Sequence, residues 1–123
     1  MQAQRPDRTA SNDARFFTVI YIVERIAEGH IAGFRTCLDA VAREEKYLGL
    51  TSAPPIEKVE EFVSTNIRED LPQFVALHEG RVIGWCDAIP GLAQALKHRA
   101  SLGMGVMAAY RGKGVGQSLL EKT

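Results

Sequence analysis

The stretch of sequence that decides the fold is AAYRGKGVGQSLLEKT, residues 108–123. Gly112, Gly114 and Gly116 occupy alternate positions, with Gly112 between Arg111 and Lys113, and they lead into an apolar helical pattern. Glycine is costly inside a regular helix or strand, but it is useful where a backbone must approach another molecule closely. The first amides of a helix have no intrahelical acceptor, and the helix dipole adds partial positive charge there. The stretch therefore predicts a cradle for a phosphate-bearing ligand.

Two well-known phosphate-binding patterns fit this stretch poorly. A P-loop would need a glycine where Met107 stands and a serine or threonine where Gly114 stands. The dinucleotide fingerprint matches on paper over residues 103–108, but no helix can begin cleanly there with Gly112 and Gly114 just ahead. A loop whose glycines only allow a tight strand-to-helix turn is the purely structural alternative.

Hydrophobic periodicity predicts a strand and two helices in the first half of the chain. FFTVIYIVE, residues 16–24, is β-branched and aromatic, which predicts strand β1. Apolar residues at three- and four-residue steps predict helix α1 over residues 29–47. Ser52 and Pro55 are start signals for helix α2, which ends before the proline of the segment 68–72.

The second half predicts three strands and a last helix. QFVALHEGRVIGWCDAI, residues 73–89, reads as a hairpin of strands β2 and β3 around a Glu79-Gly80 turn. Residues 98–108 predict strand β4, in which Gly103 and Gly105 suit a bulge. Helix α3 is expected to begin near the glycines at 112 and 114.

Length and charge point to one ordinary globular domain. The chain has 123 residues, is 46% hydrophobic, and its 15 basic and 15 acidic residues cancel to a formal net charge of zero. This balance argues against nucleic-acid or membrane-surface binding as the main task. Residues 1–15 are polar and lack the apolar core of a signal peptide, so we expect a disordered tail followed by one domain over residues 16–123.

The cysteine content predicts neither a disulfide framework nor a metal site. Cys37 and Cys86 are expected to be two small buried residues of a protein kept in a reducing compartment. With no signal peptide and no apolar run long enough for a membrane span, the expected location is cytoplasmic.

The glycine loop resembles a known family. Arg111-x-x-Gly114-x-Gly116 matches the Q/R-x-x-G-x-G/A motif of GNAT-type N-acetyltransferases, and GMGVMAAYRGKGVGQSLL, residues 103–120, resembles their β4–α3 segment. The resemblance covers residues 16–123. It implies an α+β (α/β) fold in the order β1-α1-α2-β2-β3-β4-α3, with a central mixed, mostly antiparallel sheet. The family's C-terminal β5-α4-β6-β7 part would be missing, so the resemblance implies a truncated domain.

The resemblance implies acetyl-CoA as co-substrate. In the family, amides of the loop bind the pyrophosphate, and the backbone of β4 holds pantetheine beside a bulge that splays the strands. Carried onto this sequence, the cofactor-binding residues are Met104, Val106, Met107, Arg111, Gly112, Lys113, Gly114, Val115, Gly116 and Gln117.

The implied chemistry is direct attack of a primary amine on the acetyl carbonyl, polarised by a β4 amide. The amine must be neutral, so a base is needed. Asp87 and His98 are the candidate catalytic residues, with Glu44 and Glu45 as alternatives. Asp87 also reads as a strand-end turn residue, His98 as a partly exposed strand histidine, and the glutamates as a solvated helix face. Trp85 is more often core than a substrate contact.

The sequence thus predicts an N-acetyltransferase, or the N-terminal fragment of one, acting on a small-molecule or peptide amine. Family members often protonate the leaving thiolate with a tyrosine from the missing part, so we expect weak cofactor affinity and little or no turnover. An open β4 edge favours edge-strand association or a homodimer. The alternative function is a non-catalytic module that binds CoA or another phosphate ligand.

Overall fold

The computed structural model describes residues 19–46, 51–90 and 100–123. Its strands and helices are β1 (Ile22–Arg25), α1 (Ile31–Ala42), α2 (Ile56–Arg68), β2 (Gln73–His78), β3 (Arg81–Pro90), β4 (Ala100–Val106) and α3 (Val115–Lys122). The predicted order of elements is confirmed. Short 3-10 turns precede α1 at Glu28–His30 and follow β4 at Ala108–Tyr110. The predicted polar tail over residues 1–15 and the candidate base His98 lie outside the described residues.

The described strands form one sheet in the order β1-β2-β3-β4, and each neighbouring pair is antiparallel. The β2–β3 hairpin turns through Glu79 and Gly80, whose φ angles are 53° and 79°. Two successive positive φ angles are what a two-residue type I′ hairpin turn requires, so the predicted turn is confirmed. A register shift lies between Ala76 and Leu77 of β2.

Helix α1 is shorter than its apolar stripe predicted. The expected end was Tyr47, but the helix stops at Ala42, and Glu45 has a φ of 57°, which no helix continues through. The amides of Glu44 and Glu45 donate to carbonyls three residues back, at 3.2 Å and 2.9 Å, which tightens the last turn. Strand β1 also begins later than predicted, at Ile22 rather than residue 16.

The sheet separates two hydrophobic cores. On one face α1 and α2 cover Val75, Val82 and Trp85, and the Trp85 ring meets Phe34 edge to face at 5.6 Å between centroids. Trp85 is therefore a core residue. On the other face α3 packs Val115 and Leu119 against a second apolar cluster that comprises Ala76, Ile83 and Cys86.

Both cysteines are free and buried, one in each core. Burial raises the pKa of the Cys37 thiol to about 12, and it also raises the pKa of Cys86. Neutral, enclosed thiols are poor nucleophiles, so both behave as small apolar residues. None of the described helices combines the length and the apolar character that crossing a membrane requires.

The glycines of β4 have a different role from the predicted bulge. The β3–β4 ladder runs in regular register, with Trp85 opposite Gly105 and Asp87 opposite Gly103. A Cβ atom on Gly105 would lie 2.4 Å from the Trp85 ring, and one on Gly103 would lie 2.9 Å from Asp87 Oδ1. Glycine is thus required because two large β3 side chains lie across these positions.

Candidate functional site

The connection from β4 to α3 depends on two glycines with left-handed backbones. Gly112 has φ 75° and Gly114, the N-cap of α3, has φ 84°, angles that strain other residues. A Cβ at either position would meet nothing within 4 Å. The glycines therefore satisfy the turn geometry and also leave open space in front of the first turn of α3.

The backbone amides of this turn form a candidate anion-binding site. Within the described part of the chain, the amides of residues 112–117 donate to no protein acceptor. The flanking amides are engaged, since Arg111 N donates to Ala108 O at 3.3 Å and Ser118 N to Gly114 O at 3.0 Å. A run of free donors at the positive end of a helix is an anion-binding arrangement.

A pocket of about 400 Å³ opens between β4 and the start of α3. It brings together residues from α1, β4, the glycine turn and α3, and its surface is mostly apolar. Its lining residues are Val41, Met104, Gly105, Val106, Tyr110, Arg111, Gly112, Gly114, Val115, Gly116 and Gln117.

The pocket contains the predicted cofactor-binding residues except two. Met107 is only 9% exposed and packs in the core under α1 and α2. Lys113 is half-buried on the turn but outside the pocket lining. Gln117 lines the pocket, and its Nε2 atom donates to Glu121 Oε2 at 3.4 Å.

The Arg111 side chain braces the glycine turn through hydrogen bonds within the protein. Its Nη1 and Nη2 atoms donate to the two carboxylate oxygens of Glu44, at 2.8 Å and 2.5 Å, and its Nε donates to Val106 O at 2.8 Å. Such a fork is the strong, oriented form of an ion pair. It ties the glycine turn to Glu44, two residues after the end of α1, and to the end of β4.

The same ion pair removes Glu44 from the candidate bases. The Arg111 guanidinium holds the pKa of the Glu44 carboxyl below its ordinary value, and both carboxylate oxygens are engaged. The neighbouring Glu45 side chain is exposed to solvent. Glu44 is therefore an engaged carboxylate, which leaves it poorly suited to accept a proton from an amine.

Asp87 is a buried strand residue, and its alternative reading as a strand-end turn residue is wrong. It lies within β3 and is 7% exposed. Burial raises the pKa of its carboxyl to about 6, while a hydrogen bond from the Gly103 backbone acts in the opposite direction. Its cross-strand pair with Gly103 neighbours the Trp85–Gly105 pair, and Gly105 lines the pocket. A carboxyl of this kind can take up a proton near neutral pH.

The sequence also matches a family model, described as the acetyltransferase (GNAT) family, over residues 41–123. That segment is more than half of the chain, and it contains Asp87, β4 and the glycine turn. The chain belongs to the GNAT acetyltransferase family. The predicted resemblance is therefore confirmed, and with it the α+β fold. No protein of curated function matches the sequence of this GNAT domain significantly.

Solved acetyltransferases share the fold of this GNAT domain at low sequence identity. The ribosomal-protein-alanine N-acetyltransferase of Brucella melitensis is 20% identical with a TM-score of 0.72, over 81% of this chain and 62% of that one. A phosphinothricin acetyltransferase of Sinorhizobium meliloti, solved with acetyl-CoA, is 20% identical with a TM-score of 0.73, over 82% and 56%. A GNAT family acetyltransferase of Brucella melitensis, also solved with acetyl-CoA, is 22% identical with a TM-score of 0.56, over 82% of this chain and 64% of that one.

This GNAT domain thus spans less than two thirds of the length of each of these structures. The similarity at these identities shows a common fold. Activity, acceptor and partners of the whole protein are matters for proposal.

Two features of the GNAT site were missed by the sequence reasoning. One is the Arg111–Glu44 pair, whose members lie 67 residues apart. The other is a buried amide pair, in which Asn66 Nδ2 donates to Gln73 Oε1 at 2.8 Å, and Gln73 lies opposite Asp87 in the sheet. Neither has a local sequence signal.

In the described ranges, no group of three or more His, Cys, Asp or Glu side chains is arranged to hold a metal ion.

Proposed function

We propose that this chain binds acetyl-CoA in the pocket between β4 and α3 and takes part in acetyl transfer to a primary amine. The observation that supports this most strongly is the run of backbone amides over residues 112–117, which have no acceptor among the described residues and belong, Lys113 excepted, to residues that line a pocket at the start of α3. Membership of the GNAT family and the acetyl-CoA complexes of two structural neighbours support the choice of ligand.

The residues present fit the chemistry of CoA, which carries a diphosphate and amide groups. The diphosphate would accept hydrogen bonds from the amides of residues 112–117, and Gly112 and Gly114 present no Cβ to keep it away. Pantetheine carries amides that suit an exposed strand edge. In the described part of the sheet β4 is such an edge strand, and Met104, Gly105 and Val106 line the pocket.

When bound, acetyl-CoA would supply the acyl group as a thioester. The chain's own task is to handle the proton of the acceptor, since an ammonium ion has no lone pair for attack. We assign that task to the Asp87 carboxylate, which would accept the proton from the ammonium nitrogen. Its raised pKa, about 6, makes it a stronger base than an ordinary aspartate while leaving it mostly ionised at pH 7.

Calorimetric titration with CoA tests the binding step. Gly114→Glu places a charged side chain in the open space before α3, and we expect CoA affinity to fall by at least about 100-fold through bulk and charge repulsion. Gly80→Glu is the matched control, because Gly80 has a similar φ of 79°, has open space around it, and lies in the β2–β3 turn. We expect Gly80→Glu to bind like the wild type. Unchanged affinity in Gly114→Glu would refute the placement of the diphosphate.

A transfer assay separates an enzyme from the non-catalytic alternative. The full chain would be mixed with acetyl-CoA and, in turn, with amino acids, polyamines and peptides that have free amino termini. The reaction would be followed by measuring the release of free thiol. Amine-dependent thiol release supports acetyl transfer. CoA binding without release for any amine would identify a binding module instead, and binding of ATP or NAD in preference to CoA would contradict both.

A further inference from the structure

A buried amide with an unused donor lies beside the proposed base. Gln73, at the start of β2, is 0% exposed, and its Oε1 accepts the bond from Asn66 of α2. That bond fixes which end of the Gln73 amide is the oxygen. The other end, Nε2, has no hydrogen-bond partner among the described residues. A buried amide N–H without an acceptor is costly, so native proteins nearly always supply one.

The register of the sheet places an acceptor opposite Gln73. Gln73 pairs with Asp87 across the β2–β3 ladder, and Asp87 pairs in turn with Gly103 of β4. Residues directly opposite each other share a face of the sheet, with Cβ atoms about 5 Å apart. Gln73 Nε2 and the Asp87 carboxylate thus lie on the same buried face without a direct hydrogen bond between them in the structure, and a rotation of the side chains or one bridging water molecule would join them.

The other described groups around Asp87 leave its carboxylate able to accept a hydrogen bond from Gln73. Neighbouring elements present the neutral amides of Asn66 and Gln73, and β4 presents the Gly103 backbone. Cys86 is the ionisable neighbour on β3, and it packs on the opposite face of the sheet. Within the described ranges no cation acts on the Asp87 carboxyl. Beside the hydrogen bond from the Gly103 backbone, the Gln73 amide is therefore the further donor available to the ionised form.

We propose that Gln73, held in place by Asn66, is a positioning residue that donates from Nε2 to the Asp87 carboxylate. The bond stabilises the ionised form that accepts a proton from the acceptor ammonium, and it fixes the orientation of the carboxylate. The proton passes from nitrogen to an Asp87 oxygen, and no electrons are exchanged. The catalytic meaning rests on the proposed function, whereas the contact itself does not.

Carboxyl carbon NMR of the full chain tests this contact without any activity. The chain would be labelled with ¹³C at the aspartate carboxyls, Asp87→Asn would assign the signal, and the wild type and Gln73→Leu would be titrated with acid. We expect Gln73→Leu to raise the measured pKa of Asp87 by about one unit, because the ionised form loses a donor. Val75→Ala is the control, since it disturbs the same buried face of β2 but keeps the donor. An unchanged or lowered pKa in Gln73→Leu would overturn the proposal.

A second variant decides the matter if Gln73→Leu does not fold. Asn66→Ala releases the Gln73 amide from its anchor, and we expect a smaller upward shift of the Asp87 pKa. No shift in that variant would overturn the role of the pair.

Kinetics then distinguish this proposal from the proposed function: the pH profile of kcat/KM should move with the NMR value of the Asp87 pKa, while the KM for acetyl-CoA stays unchanged. An NMR shift in a chain that fails to bind CoA would leave the contact standing and remove its catalytic meaning.

Discussion

At the scale of single residues, Asp87 shows how a carboxyl acquires unusual properties from its neighbours. It is an ordinary aspartate in the sequence, but the sheet encloses it between Gln73 and Gly103. Gly103 is needed there, since a side chain would collide with the carboxylate. Enclosure penalises the charged form, which is why the pKa of Asp87 rises to about 6.

This raised pKa predicts how stability changes with pH. The pKa of the Asp87 carboxyl rises from 3.8 to about 6 on folding, so folding favours the neutral acid. The stability it contributes is fully present below pH 3.8 and is lost as the pH rises through 6. Asp87→Asn keeps a neutral group at every pH. Relative to the wild type, we expect the variant to gain about 2 kcal/mol in free energy of unfolding between pH 4 and pH 8.

Urea unfolding of both proteins at the two pH values measures this gain, and the difference between pH values cancels any packing effect of the substitution itself. An Asp87→Asn variant whose relative stability is the same at pH 4 and pH 8, or falls, would show that Asp87 ionises normally in the folded chain.

At the scale of elements, the glycine turn depends on a brace from elsewhere in the fold. Arg111 joins the turn to Val106 O at the end of β4 and to Glu44 just after α1. Free amides bind an anion well only when their directions are fixed in advance. The brace therefore positions the cradle, although the arginine side chain itself is engaged within the protein.

Replacing the brace by lysine should weaken CoA binding while leaving the fold intact. An ammonium group cannot reproduce the planar fork of Arg111, so we expect Arg111→Lys to lower CoA affinity by roughly tenfold with an unchanged circular dichroism spectrum. Arg43→Lys is the matched control. Arg43 pairs with Asp39 on the surface of the same region, and its side chain is 66% exposed. Equal CoA affinity in the two lysine variants, measured by calorimetry, would refute the role of the brace.

At the scale of the whole molecule, the pocket lies where both layers of the fold meet the β4 edge. Val41 of α1 contributes from one core and Val115 of α3 from the other. On the α3 face, that helix is also joined to the other end of the sheet, because the Tyr21 hydroxyl, next to β1, lies 2.8 Å from Ser118 Oγ in α3. The shape of the site is therefore a property of the entire sheet with its covering helices.

The sequence predicted the features that depend on near neighbours. The Glu79-Gly80 hairpin, the order of elements and the turn through Gly114 each follow from a few consecutive residues. The features it did not predict join distant segments. The Arg111–Glu44 fork and the Gln73–Asp87 register exist only after the sheet has formed, and the reason for Gly105 is the ring of Trp85 across the ladder.

The amides of residues 112–117 are the most direct place to test the whole arrangement. In ¹H–¹⁵N spectra of the full chain, CoA should shift these amide signals saturably, while pantetheine, which lacks the diphosphate, should leave them in place. Amides of β1, at the opposite edge of the sheet, should not move with either ligand. If CoA binds and perturbs other residues alone, or if pantetheine shifts the turn amides equally, the glycine turn is not a diphosphate site.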